Sequence, residues 1–132
     1  MTSKVVYLGD LSTELTHLKS KSVVNTDAPS DNKGKGQAFS PTDLLATSLA
    51  SCMLTVIGIK AQERQISIEG SYANITKYMG TSPRRVVMIE VDVFLKGTLD
   101  GKEKAIFEKT AIACPVAKSL SPKIEQIIRF HY

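Results

Sequence analysis

The sequence of 132 residues predicts an α+β fold. Three observations carry the prediction. Short segments with period-two hydrophobicity cluster before residue 27 and again after residue 66. Between them lies one long stretch with a helix start and apolar or small residues almost throughout. The element order is three strands, a long helix, two strands, two helices and a strand, which is not the regular βα alternation of a parallel α/β protein.

Residues 4–9 read as a strand that ends at a Gly9-Asp10 turn, residues 12–18 as a second strand and residues 22–26 as a third, together an antiparallel meander. Residues 27–38 are polar, rich in turn formers and without a hydrophobic period, so they form a loop; its length of about a dozen residues suits a segment that lines a site. A helix starts at Ser40-Pro41, because serine suits the N-cap and proline at the first helical position loses no hydrogen bond. Asp43 follows three positions after the cap, where a negative charge favours the helix end. The helix runs to about residue 63 or 64, and Leu45, Leu49, Cys52, Val56 and Ile59 form an apolar stripe at spacings of three and four. Leu44, Met53, Ile57 and several small residues widen that stripe, which predicts burial by more than one neighbour.

Residues 66–75 alternate as a strand, 80–83 make a turn, and 85–95 form a long strand with Glu90 and Asp92 on one face and Ile89, Val91 and Val93 on the other. The two strands form a hairpin. An amphipathic helix over 102–112 and a short helix from Pro115 to about residue 120 follow, and residues 124–132 close the chain as a strand. There are no internal repeats, and the length suits a single domain spanning 1–132.

Composition removes several function classes. A net charge of +4 with no long basic run gives no electrostatic footprint for nucleic acid. No window of eighteen or more wholly apolar residues predicts a membrane span, and the N-terminal residues lack an apolar signal core and read as a cytoplasmic start. The two cysteines lie 62 positions apart without a Cys-x-x-Cys pair, which fits neither a secreted disulfide scaffold nor a thioredoxin-type motif. His17 and His131 show no ligand spacing with them, so no metal site is expected.

Chemistry therefore centres on the two thiols. Cys114 precedes Pro115 and is placed to cap the short helix, with free backbone N–H groups beside its sulfur. Cys52 lies about twelve residues inside its helix and needs a cation or a hydrogen-bond donor from elsewhere in the fold. On composition alone both cysteines read as small buried hydrophobes, since free cysteine is among the most buried residue types.

The stretch Ser40-Pro41-Thr42-Asp43-Leu44-Leu45, the Ala-rich helix that leads to Cys52, and Cys114-Pro115-Val116-Ala117-Lys118-Ser119-Leu120 resemble the OsmC/Ohr family, the osmotically inducible and organic hydroperoxide resistance proteins. The resemblance runs from about His17 to the end and is strongest to the general OsmC-like branch. It implies antiparallel sheets packed on a long central helix, in an intertwined homodimer with active sites at the subunit interface. It also implies a thiol-dependent peroxidase acting on organic hydroperoxides in oxidative-stress defence. On this resemblance Cys52 matches the peroxidatic cysteine and Cys114 the resolving one, with no cofactor beyond an external dithiol reductant such as a lipoylated protein.

The chain departs from the hydroperoxidases at two points. They carry a glutamate directly after the helix-starting proline, where this chain has Thr42, with Asp43 one step later. They also hold the thiolate with an arginine from the N-terminal strands, and here the first arginine is Arg64. His17, Lys19, Lys21, Arg84 and Arg85 are the candidate replacements. Asp43 and Cys52, nine residues apart on one helix, stand roughly 13–14 Å apart along its axis and on nearly opposite sides. A catalytic Asp43 would therefore act on a partner subunit's cysteine or through an intervening cation. The alternative is a non-catalytic dimeric protein of the same fold that binds a small ligand.

Overall fold

The computed structural model describes all residues 1–132. Its elements are β1 (Ser3–Gly9), β2 (Ser12–His17), β3 (Val23–Asp27), α1 (Pro41–Glu63), β4 (Tyr72–Thr81), β5 (Arg84–Phe94), α2 (Gly101–Ile112), α3 (Pro115–Ser119) and β6 (Glu125–His131). The order is that of the predicted α+β fold. Contacts group the chain into two compact units, Met1–Leu45 and Ala46–Tyr132.

The first unit is the expected meander. β1 pairs with β2 and β2 with β3, both antiparallel, with Val5 opposite Leu15 and Leu15 opposite Val24. The loop after β3 contains a single 3-10 turn at Ser30–Asn32. Thr26 joins Phe39 in an isolated bridge, which returns the chain towards the sheet. Ser40 and Asp43 then close a reciprocal cap at the start of α1: Asp43 N–H donates to Ser40 Oγ at 3.0 Å, and Ser40 N–H donates to Asp43 Oδ2 at 2.8 Å. Ser40 is buried. Ser40→Ala should lower unfolding stability by about 1–2 kcal/mol, measurable by urea denaturation, because it removes the acceptor of the Asp43 N–H at a part-buried helix end.

The second unit holds the main core. Val86, Ile89, Val91 and Val93 of β5 face inward and are buried with Leu49, Met53 and Ile57 of α1 and Phe107 and Ala111 of α2. The alternation of β5 is as the sequence predicts. The position of β4 is not: residues 66–71 form no strand, and β4 starts six residues later than expected. Ile66 N–H closes the end of α1 on the Ala61 carbonyl, and Ser71 N–H turns back on Ile68 at Gly70, whose φ is +81°. The hairpin register runs from Tyr72↔Phe94 to Thr81↔Arg84, so Gly80 belongs to the strand and the turn is Ser82-Pro83.

A second correction concerns β6. The resemblance implies antiparallel sheets that include the closing strand, yet β6 pairs with β5 in parallel, from Met88↔Glu125 to Phe94↔His131. α2 and α3 lie between these strands and supply the long crossover that parallel pairing needs. α2 begins with a capping box in which Asp100 accepts from Glu103 N–H and Glu103 accepts from Asp100 N–H.

α1 corrects one further expectation. It is long and apolar enough to pass for a membrane span (mean hydropathy 1.7), a test that the core helix of a globular protein also passes. Its buried residues are Ala46, Leu49, Ala50, Met53, Ile57 and Ala61, which share one face and belong to the core of the second unit. The stripe expected in the core, Leu45-Leu49-Cys52-Val56-Ile59, is therefore rotated: Leu45 and Ile59 are exposed, and Cys52 and Val56 are half-buried. Periodicity alone cannot choose between two apolar faces of a helix that is apolar almost all round.

Candidate functional site: a pair of free thiols

Both cysteines belong to the second unit and neither forms a disulfide. Cys52 lies in mid-α1, half-buried at the margin of the core. Cys114 lies between α2 and α3 and is 1% exposed. Its backbone is extended (φ −62°, ψ 153°), as the N-cap of a helix that begins with proline requires. Ala117 N–H, the third in α3, donates to Cys114 Sγ at 3.4 Å. The Cys114 carbonyl accepts from Lys118 N–H at 3.1 Å.

The two thiols are neighbours. Burial pushes the Cys114 thiol above its ordinary range; the Ala117 N–H opposes this, and the Cys52 side chain reinforces it through hydrogen bonding and charge. The sequence predicts a sulfur favoured as thiolate by the helix end. The cap exists, yet loss of water around a sulfur this deep outweighs the Ala117 and Val116 N–H groups of a five-residue helix. Burial thus disfavours ionisation of Cys114, while Cys52 is the thiol that solvent and solutes reach.

A pH dependence follows. Folding raises the Cys114 pKa, so the unfolded thiol ionises first as pH rises. The stabilising contribution is whole below the ordinary thiol range and is lost as pH climbs from there to the folded value. The urea midpoint should fall as pH rises above about pH 8. Cys114→Ala should show a smaller fall over the same interval. At neutral pH, iodoacetamide should modify Cys52 well before Cys114.

The other predicted site residues are placed as follows. Asp43 is in the first unit, where its carboxylate accepts the Ser40 N–H, so capping of α1 is one role it performs. His17 shares its Nδ1 with Ser20 at the turn after β2, and Lys19 and Lys21 occupy the same turn region. Arg84 opens β5 opposite Thr81. Arg85 donates to the Val86 and Lys123 carbonyls at 3.0 and 3.4 Å, which ties its guanidinium to backbone at one end of the sheet. No group of three or more His, Cys, Asp or Glu side chains is arranged to hold a metal ion. Sequence reasoning missed Ala117 as the specific donor to the Cys114 sulfur; the signal was available in Cys-Pro-x-x, which sets that N–H over the capping side chain.

A family model described as OsmC-like protein matches residues 34–128. The chain belongs to the OsmC-like family. A crystal structure from Psychrobacter arcticus 273-4, described as a candidate osmotic stress induced and detoxification response protein, is 55% identical over 99% of this chain and 96% of that one, with a TM-score of 0.96. Two more distant structures share the fold. An OsmC-like protein of Mycoplasma pneumoniae is 18% identical, covering 97% and 93% of the two chains, with a TM-score of 0.80. An organic hydroperoxide resistance protein OsmC of Legionella pneumophila is 17% identical, covering 100% and 98%, with a TM-score of 0.77. No curated protein matches the chain. The OsmC-like model begins at Gly34, so the meander of β1 to β3 lies outside the matched stretch.

Proposed function

We propose that this OsmC-like protein is a thiol-dependent peroxidase that reduces organic hydroperoxides. The observation that carries the reading is the asymmetric thiol pair: a half-exposed Cys52 beside a buried Cys114. Organic hydroperoxide resistance is the stated property of the Legionella pneumophila protein with the same fold. Ionised Cys52 attacks the distal peroxide oxygen and the O–O bond breaks. Sulfur takes that oxygen as sulfenic acid, and the alkoxide leaves and is protonated to the alcohol. The Cys114 sulfur then attacks the Cys52 sulfenic acid, forming the disulfide and releasing water. An external dithiol reduces it by two successive exchanges and leaves as its own disulfide. The two free thiols suit a reducing, cytoplasmic setting.

The working unit in this reading is a homodimer. The unburied face of α1 carries Leu45, Ile59, Ser51 and Thr55. The meander leaves Val5, Val6, Tyr7, Leu8, Val23 and Val24 exposed, and an apolar cavity of about 330 Å³ opens among Val5, Leu15, Pro41 and Leu44. That much uncovered apolar surface is what a subunit interface would bury. Sedimentation should give twice the chain mass at micromolar concentration, and Ile59→Asp should shift it to the single chain. A dimer also gives Asp43 and the basic residues of the first unit a route to a partner's Cys52.

The enzymatic reading is tested with cumene hydroperoxide and a dithiol. Reduced protein should consume peroxide catalytically, and protein alkylated beforehand should not. Equal rates for the two would reject it.

A further inference from the structure

We infer that the outer face of the β4–β5–β6 sheet carries a binding site for a planar aromatic carboxylate, built on a row of three stacked rings and distinct from the thiol pair. The row results from register. Tyr72 is opposite Phe94 and Phe94 is opposite His131, so one ring from each strand stands at the same level. Adjacent strands lie about 4.8 Å apart, close to the separation of stacked rings. The Tyr72 and Phe94 centroids are 4.7 Å apart with planes 8° from parallel, and those of Phe94 and His131 are 4.4 Å apart at 14°. His131 Nε2 meets Asp92 Oδ1 at 2.8 Å, and Arg129 reaches the other oxygen of Asp92 at 3.5 Å, which fixes the plane of the imidazole. Val93, next to Phe94, is buried in the core that contains Cys114, so the rings stand on the opposite side of the sheet from the thiols.

These rings, with Leu95, Lys96, Gly97 and Tyr132, line a cavity of about 480 Å³, within the range of small-molecule sites. Its walls are held. The Tyr132 hydroxyl donates to Glu108, and Lys104 Nζ lies 4.5 Å from the centre of the Tyr132 ring. Lys96 N–H donates to Ser71 Oγ at 2.9 Å. Gly97 has φ +113°, and a Cβ there would stand 2.7 Å from the Ser67 carbonyl oxygen, so this turn admits only glycine. Lys96 is the one lining residue with a permanent charge on its side chain, and its ammonium group makes no ion pair in the chain. Tyr72 remains 48% exposed. A flat ring stacking or packing along this row would remove that apolar surface from water, and a carboxylate on the same ring would meet Lys96.

The test is a titration of the full chain with 2-naphthoate, followed by the aromatic NMR signals of Tyr72, Phe94 and His131. Two comparison ligands divide the contributions: decalin-2-carboxylate keeps the charge without a planar ring, and 2-naphthamide keeps the ring without the charge. The expected result is saturable shifts centred on the three rings, with decalin-2-carboxylate bound at least about tenfold more weakly. Lys96→Met, a change at an exposed side chain, should weaken naphthoate about tenfold and leave naphthamide unchanged. Absence of saturation at millimolar naphthoate would overturn the site. Equal binding of the decalin acid would overturn the stacking, and an unchanged affinity in Lys96→Met would overturn the carboxylate contact. Shifts centred on Cys52 and Cys114 instead would assign the ligand to the thiol pair and overturn a separate site.

Discussion

Cys52→Ser should abolish catalytic reduction of cumene hydroperoxide, lowering kcat/KM by a factor of about 10⁴ or more, because a neutral hydroxyl replaces the nucleophile. Cys114→Ser should behave differently. It leaves the half-exposed Cys52 intact, so one equivalent of peroxide should still be consumed in a fast first phase, and a sulfenic acid should accumulate on Cys52. Later turnovers should slow to the rate at which the external dithiol attacks that sulfenic acid directly, and excess peroxide should drive Cys52 on to sulfinic acid. The contrast between the variants, more than either loss alone, reports the division of labour. Serine is close to cysteine in size, so neither variant opens a cavity, although the buried Cys114 site takes on a hydroxyl that must find a partner. Stopped-flow measurement of peroxide consumption, with a sulfenic acid trap, separates the two outcomes.

Phe107→Ala should cost about 3–5 kcal/mol of unfolding free energy. Phe107 is fully buried in α2 and shares the core with Leu49, Met53, Ile57, Ile89, Val91 and Val93. Alanine removes the largest side chain of that core and leaves a cavity that the surrounding helix and sheet cannot fill without breaking register. Against a typical total of about 5–15 kcal/mol, the loss takes the protein to the edge of folding. Phe107→Leu, which keeps most of the volume, should cost about 1–1.5 kcal/mol. Urea unfolding followed by circular dichroism measures both. Cys114 belongs to the same core, so Phe107→Ala should also speed iodoacetamide modification of Cys114, as local opening becomes easier.

What the sequence revealed, and what it concealed, follows from which interactions are local. The cap of α1 was readable because Ser40, Pro41 and Asp43 act within four residues, and the structure has both reciprocal hydrogen bonds. Cys114 as an N-cap was readable for the same reason. The inward and outward faces of β5 follow from alternation alone. The start of β4 was not readable: residues 66–75 alternate well, but strand pairing with β5 is decided across the hairpin, and the turn at Gly70 takes the first six residues out of it. The buried face of α1 was also hidden, because a helix apolar nearly all round gives no preference until its neighbours are known. The upward shift of the Cys114 pKa was not readable, because the cap is a local signal and burial is a global one. The direction of β6 was hidden too, because α2 and α3 permit a parallel return without requiring one.

The central claim is that Cys52 and Cys114 form one redox pair. Mass spectrometry of the reduced protein after one equivalent of cumene hydroperoxide tests it most directly. The predicted result is a chain two hydrogen atoms lighter, with the peptides containing Cys52 and Cys114 joined by a disulfide that a dithiol reverses. Recovery of both thiols unchanged, or oxygen added to Cys52 with no cross-link to Cys114, would contradict the claim.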